Sequence, residues 1–230
     1  MVKLSIQKPE PINQEVIWDK TQTIVSTTDK FGTITYVNQT FLNVSGYLMT
    51  EVIGQPHSLI RHPDTPKLLF KILWDNISTG RNFHAILKNM SKSGEFYWVI
   101  TDFDVNKDPK GEILSYTARR RAVNETIIKE HIEPLYQTLL KLETIGGIEL
   151  SSRYFKGFLQ KEGKSYIDYI FDIVGDGNKT KYMYEDTDFE PAIVENIMPV
   201  TEVSDTIFNE TEDTENIKRK NFFARLFSIN

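Results

Sequence analysis

The order of β-rich and helical runs within residues 24–121 constrains the fold of this 230-residue chain more than any other feature. Ile24-Val25-Ser26-Thr27 and Thr33-Ile34-Thr35-Tyr36-Val37 are rich in β-branched residues, and Asp29-Lys30-Phe31-Gly32 between them reads as a hairpin turn. The period then changes. Phe41 and Val44 lie three apart, so residues 38–44 predict a short helix ending near Gly46. Thr50-Glu51-Val52 predicts a second helical start stopped at Gly54, and Pro56, Pro63 and Pro66 punctuate a loop. Residues 67–76 (KLLFKILWDN) set Leu69, Ile72 and Leu73 on one helical face. Three strands follow, over 83–89, 95–106 and 112–121, divided by Ser91-Lys92-Ser93-Gly94 and Lys107-Asp108-Pro109-Lys110-Gly111. Two strands, a helical insert and a three-strand meander make an α+β domain. Its expected form is a five-stranded antiparallel sheet with short helices on one face.

Downstream the pattern is helical. Ile128, Ile132, Leu135, Leu139 and Leu142 form one stripe within residues 125–143, with Pro134 expected to kink the helix or split it in two. Gly146-Gly147 breaks it, and residues 148–160 and 166–174 predict two more amphipathic helices. Residues 182–217 hold eleven Asp or Glu and no Lys or Arg, which predicts a solvated, disordered linker. The last stretch, Lys218-Arg219-Lys220-Asn221-Phe222-Phe223-Ala224-Arg225-Leu226-Phe227, is basic and aromatic. The expected organisation is an N-terminal segment (1–19), an α+β domain (20–122), a helical extension (123–181), the acidic linker (182–217) and the basic peptide (218–230). The net charge of −5 hides this division: residues 1–181 balance at +2, the linker carries −11 and the peptide +4.

The chain has no Cys and four His. That excludes a disulfide framework, Cys-ligated zinc, iron–sulfur clusters, c-type haem and a thiol nucleophile, and argues against a rich metal site. The near-neutral folded part gives no reason to expect nucleic acid. Residues 1–20 have no apolar stretch of the signal-peptide kind, and no run reaches the roughly 18 apolar residues of a membrane span, so the expected location is cytoplasmic. No Gly-x-Gly-x-x-Gly and no phosphate-binding Gly-x-x-x-x-Gly-Lys-[Ser/Thr] occurs, and Gly146-Gly147-Ile148-Glu149-Leu150 has Ile where a cyclase-type loop needs an acid. The expectation is a non-enzyme.

Gly32-x-Ile34-x-Tyr36-x-Asn38-x-x-Phe41-x-x-x-Ser45-Gly46-Tyr47-x-x-x-Glu51-x-x-Gly54-x-Pro56-His57 resembles the signature of PAS sensor domains. Ile60-Arg61-His62-Pro63-Asp64-x-Pro66, Trp74 and Lys88-Asn89-x-x-Lys92-x-Gly94-x-x-Tyr97-Trp98-Val99 sharpen this. They are similar to the PAS domain of bacterial aerotaxis (energy-taxis) receptors, and the likeness runs over roughly residues 20–140, through Glu133-Pro134-Leu135-Tyr136. It implies a PAS fold, non-covalent FAD and redox sensing. The residues it implies for the cofactor are Asn38, Arg61, His62, Asp64, Trp74, Asn89, Tyr97 and Trp98. The missing Cys rules out the photo-adduct of light-sensing flavin PAS domains. FMN and haem are the alternative ligands, and a ligand-free interaction module is the third reading.

A flavin needs an apolar slot, donors and acceptors at its pyrimidine edge, and positive charge for its phosphates. Trp74 offers a stacking face, Asn89 both a donor and an acceptor, and Arg61 a bidentate fork. His62 and Asp64 can hold each other in the Pro-bracketed loop. Each has a plainer reading. Asn38 fits a helix N-cap. Trp74 and Trp98 fit core aromatics, Arg61 and Asp64 fit a loop ion pair, and His62 fits a structural histidine. Tyr97 and Trp98 alternate, so only one can face a pocket. Asn89 is hardest to explain structurally, because strands disfavour Asn.

The likeness implies a signalling partner. This chain shows neither anchor nor signalling coiled coil, so it is similar to the PAS half of a split energy-taxis system. Its expected partner is a membrane-bound chemotaxis-type receptor or another signalling protein, which would recruit it to the inner membrane face. A homodimer built on the helices of 124–174 is the alternative use of that extension, and a simple cover for the sheet is the third. The basic peptide has three readings: docking into a partner groove, contact with an anionic membrane surface, or a free end.

Overall fold

A computed structural model describes residues 8–175. The acidic linker, the basic peptide and the first seven residues lie outside the described residues.

The elements follow the order read from the sequence. Strands β1 (Ile24–Asp29) and β2 (Ile34–Val37) form the first hairpin. Helices α1 (Gln39–Ser45) and α2 (Met49–Val52), a 3-10 turn (His57–Ile60) and helix α3 (Lys67–Ile77) make up the insert. Strands β3 (Phe83–Met90), β4 (Phe96–Lys107) and β5 (Ile113–Ala122) form the meander. All pairings are antiparallel, in the order β2-β1-β5-β4-β3.

Residues directly opposite one another in an antiparallel ladder share a face, so the register sorts the side chains. Ile24, Ser26 and Thr28 pair with Arg120, Ala118 and Tyr116. Val99, Thr101 and Phe103 pair with Ala122, Arg120 and Ala118 on one side and with Leu87, Ala85 and Phe83 on the other. Asn89 pairs with Tyr97. This is the inner face. Ile24, Tyr97 and Val99 on it share one core with Phe41 and Val44 of α1, Val52 of α2, and Leu59 and Ile60 of the 3-10 turn.

The alternate residues, including His84, Ile86, Lys88, Trp98, Asp102, Asp104, Arg119 and Arg121, form the outer face. The helical extension covers its β3 end and Trp98. Helix α4 (Glu125–Ile127) continues into a π-helical turn (Ile128–Ile132) and then α5 (Glu133–Glu162), broken at Gly146 and Gly147, followed by α6 (Tyr166–Val174). The Tyr136 ring lies 5.9 Å from Trp98 and its hydroxyl donates to the Ile86 carbonyl, while Phe171 of α6 lies 5.4 Å from His84. Every residue of β3 is consequently buried.

Local chemistry explains the joints. Pro134 stands in the first turn of α5, where its missing N–H costs nothing. The preceding ladder widens to a π turn that ends with the Glu133 N–H bonded to the Ile128 carbonyl, and this turn accommodates the proline within one continuous helical run. Gly147 has φ +67°, which an L side chain resists, and this fixes the break there. Ser165 caps α6 by accepting from the Asp168 N–H at 3.2 Å. Helix α3 begins at a proline without a side-chain cap of its own. Glu143 of α5 supplies one, accepting from the N–H groups of Lys67 (3.0 Å) and Leu68 (2.9 Å).

Candidate ligand pocket on the inner sheet face

The inner face is apolar apart from one band of polar side chains. Asn89 Nδ2, the Tyr97 hydroxyl, Thr101 Oγ1 and Arg120 Nε are buried there without a hydrogen-bond partner. Asn89 is 4% exposed, Tyr97 and Thr101 0%, and Arg120 1%. Polar atoms this deep are nearly always paired, so four without a partner among the described residues make this surface the candidate ligand site.

His57 is fixed beside them. The 3-10 turn carries it against β1 and β5, where Nε2 accepts from Arg120 Nη2 at 2.6 Å and lies 3.0 Å from Ser26 Oγ. Burial and the charges of Arg120 and Arg61 hold its pKa well below the usual imidazole range. A neutral ring with Nε2 unprotonated is the form that can accept from a guanidinium. Burial also raises the Tyr97 hydroxyl well above the ordinary 10, so it remains a neutral donor.

Arg61 reaches the same region. Its backbone bridges to Asn89, its guanidinium lies 3.5 Å above the Phe70 ring of α3, and burial pulls its pKa down to about 10. Trp74, one turn further along α3, meets Tyr116 of the inner face edge-on at 5.6 Å. Four of the sequence-predicted residues, Arg61, Trp74, Asn89 and Tyr97, therefore gather on the inner side of the sheet.

Residues 34–119 match the family model described as PAS fold. The five-stranded sheet and its helices have the PAS fold. The aerotaxis receptor of Escherichia coli (strain K12) is 39% identical over 142 residues, which are 61% of this chain and 26% of that protein. The nitrogen fixation regulatory protein of Klebsiella pneumoniae is 26% identical over 117 residues, 51% of this chain and 24% of that protein. The chain thus spans about a quarter of the length of these curated relatives. A solved light-oxygen-voltage domain, described with a flavin analogue, covers 51% of this chain and 90% of its own, with 21% identity and a TM-score of 0.46.

The other four predicted residues stand elsewhere or are already engaged. Asn38 is the N-cap of α1: its Oδ1 accepts from the N–H groups of Phe41 (2.9 Å) and Val25 (3.0 Å), and its Nδ2 donates to the Thr23 carbonyl at 2.8 Å. It ties α1 to β1. His62 and Asp64 wrap around β3. The Asp64 N–H donates to His62 Nδ1 at 3.1 Å, and the imidazole meets Phe96 edge-on at 6.4 Å. The Asp64 carboxylate pairs with Lys88 at 2.7 Å, so the expected Arg61–Asp64 ion pair gives way to a Lys88–Asp64 pair across the edge strand. Trp98 points to the outer face, beneath Tyr136. Of the alternating pair, Tyr97 is the one turned inward.

Three residues at this face are not among those expected to hold the cofactor: His57, which stands only in the quoted signature, Thr101 and Arg120. Arg120 had a signal. Three consecutive arginines in a strand must send the middle one to the opposite face from its neighbours. Nothing local marked His57 for this contact, because its partners lie 31 and 63 residues away. Among the described residues, no helix is long and apolar enough to cross a membrane, and no cluster of His, Cys, Asp or Glu is arranged for a metal ion.

Proposed function

We propose that this chain is a redox-sensing PAS module that binds FAD non-covalently against the inner sheet face and reports its redox state to a separate chemotaxis-type signalling protein. The observation that carries the reading is the buried, unpartnered set of Asn89 Nδ2, Tyr97 hydroxyl, Thr101 Oγ1 and Arg120 Nε on an otherwise apolar surface. Donors and acceptors of this kind suit the polar edge of an isoalloxazine, which supports the flavin reading. Asn89 and Tyr97 would meet that edge, Trp74 would bound the slot, and Arg61 would face the phosphates. Asn38 acts at one remove, holding α1 on the sheet. His62 and Asp64 hold the loop that carries Arg61, and Trp98 braces β4 against the extension. The flavin supplies reversible two-electron chemistry; the protein positions it, keeps water away and reads its charge. The likeness to the E. coli aerotaxis receptor supports the energy-taxis role; a cytoplasmic site of action and a membrane-bound receptor as partner are part of the same proposal.

The test is the absorbance spectrum of the purified full-length chain, followed by heat release and chromatography of any chromophore. Blue and near-ultraviolet flavin bands with released FAD are the expected result. Released FMN would correct the cofactor, a Soret band would replace flavin with haem, and a colourless protein that takes up neither would leave an interaction module. Partner affinity that is equal for oxidised and reduced protein would sink the signalling half.

A further inference from the structure

Strand β5 carries Arg119-Arg120-Arg121, and the three guanidiniums have different company. On the outer face Arg119 pairs with Asp104, and Arg121 Nη2 lies 3.3 Å from Asp102 Oδ2. Arg120, on the inner face, is paired with no acid among the described residues. Its Nη1 donates to Ser26 Oγ at 3.0 Å and to the Ala118 carbonyl at 3.4 Å, its Nη2 donates to His57 Nε2 at 2.6 Å, and its Nε has no partner. Among the described residues all three acceptors are neutral. Burial lowers its pKa to about 10, which still leaves a full positive charge at neutral pH.

A buried cation without a counter-charge destabilises the fold that holds it. The surroundings show where the counter-charge belongs. Thr101 stands directly opposite Arg120 in the ladder, and the Tyr97 hydroxyl is close enough to feel its charge. Both hydroxyls are buried donors without partners. One guanidinium N–H and two hydroxyls, none of them partnered among the described residues, stand on the same face of the sheet, and none of them carries negative charge. His57 is held neutral on the far side of the guanidinium, so it positions Arg120 without neutralising it.

We infer that Arg120 is a specificity-determining residue of the inner-face pocket. The pocket takes a ligand that presents an anionic edge, or an edge that gains negative charge on reduction, to Arg120, Thr101 and Tyr97. Applied to a flavin, the inference rests on the reading of the preceding subsection. Two electrons from a donor such as dithionite and one proton from solvent leave a neutral isoalloxazine with one net negative charge. Arg120 then holds the reduced ligand more tightly than the oxidised one.

The experiment compares full-length wild type, Arg120→Gln and Arg120→Lys in two measurements. The first is the midpoint potential of the flavin-loaded protein against reference dyes. Arg120→Gln should weaken the reduced state relative to the oxidised state at least tenfold, a midpoint about 30 mV lower for a two-electron couple, and Arg120→Lys should recover most of the loss. The second is the melting temperature of the same proteins stripped of flavin. There Arg120→Gln should melt at or above wild type, because the substitution removes a buried charge that nothing balances; in the loaded state it should melt below wild type. An unchanged midpoint, or equal melting losses in both states, would overturn the inference and make Arg120 a structural residue. A chain that takes up no flavin would remove the flavin reading alone, and the ligand-free melting comparison would then decide. A variant as stable as wild type or more so supports a cation kept for an anionic ligand of another kind, and a less stable one overturns the inference.

Discussion

Thr101 and Asp102 are neighbours on β4, equally deep in the protein, and their surroundings could hardly differ more. Asp102, on the outer face, has both carboxylate oxygens engaged: Oδ1 with His84 Nδ1 at 2.8 Å and Oδ2 with Arg121 at 3.3 Å. Thr101, on the inner face, is 0% exposed and its hydroxyl has no partner. The same contrast runs along the sheet. Outer-face charges close on one another or on the loop that wraps β3, as Asp104 does with Arg119 and Lys88 with Asp64. Inner-face polar groups stop short. On the outer face the charged side chains are paired within the sheet and its loops, whereas on the inner face, among the described residues, several buried polar atoms have no partner. A buried unsatisfied group is expensive, so the difference separates structural polarity from polarity kept for a ligand.

The largest effect should come from breaking the paired side. Asp102→Ala removes the shared acceptor of His84 and Arg121 and leaves two donors facing the extension. Breaking a buried, hydrogen-bonded ion pair costs roughly 3–5 kcal/mol, and urea unfolding of the variant should show a loss of that order. Flavin content of the folded fraction should stay near wild type, since the cluster lies across the sheet from the pocket. A loss of less than about 1 kcal/mol, the size of an exposed pair, would mean the outer-face network is ornamental.

The pH dependence comes next in size. His62 is 3% exposed, and burial, reinforced by the charges of Lys88 and Lys8 against the opposing pull of Asp64, lowers its pKa from 6.5 to about 4. The folded state therefore resists a proton that the unfolded chain accepts. The sign follows: stability is unaffected above about pH 6.5 and falls as the pH drops from there toward 4. The total loss by pH 4 is about 3 kcal/mol from this group alone. His62→Gln should flatten that part of the stability–pH curve relative to wild type, and parallel curves would show that His62 titrates normally.

Much of the first layer of this organisation is legible in the sequence. The alternation of β-branched runs with turn residues gives the sheet, and Gly46 and Gly147, with φ of +71° and +67°, stop and break helices where expected. Asn89 stands out because a strand has no structural use for a buried amide, and its Nδ2 is indeed unpartnered. The second layer is harder to see. Residues 83–90 read FHAILKNM, and the consecutive Ala85-Ile86-Leu87 already signals a strand covered on both faces, but nothing in it says that α5 and α6 are the cover. The Lys88–Asp64 pair replaces the shorter-range Arg61–Asp64 pairing because the Pro-bracketed loop straddles β3, and a geometry of that kind is set by the fold rather than by spacing. Glu143 as the cap of α3 and His57 as the acceptor for Arg120 belong to the same class. Both span dozens of residues, beyond any local signal.

The smallest expected effect is the most discriminating. Thr101→Val keeps the β-branched shape and removes only the hydroxyl. In an ordinary core that exchange costs about 1 kcal/mol, because the hydroxyl's hydrogen bond is lost and its partner is stranded. Here no protein atom is paired with it, so removing a buried and unsatisfied group should leave the flavin-free protein unchanged or slightly more stable, by up to about 1 kcal/mol. The same substitution should weaken ligand retention, because the hydroxyl then has a partner to lose, and a tenfold weakening corresponds to about 1.4 kcal/mol. The two measurements, unfolding of the stripped protein and ligand dissociation from the loaded one, must move in opposite directions. If Thr101→Val destabilises the stripped protein as much as it weakens binding, the inner-face hydroxyl is structural after all. The contrast with Asp102, one residue away, would then reduce to a difference of degree.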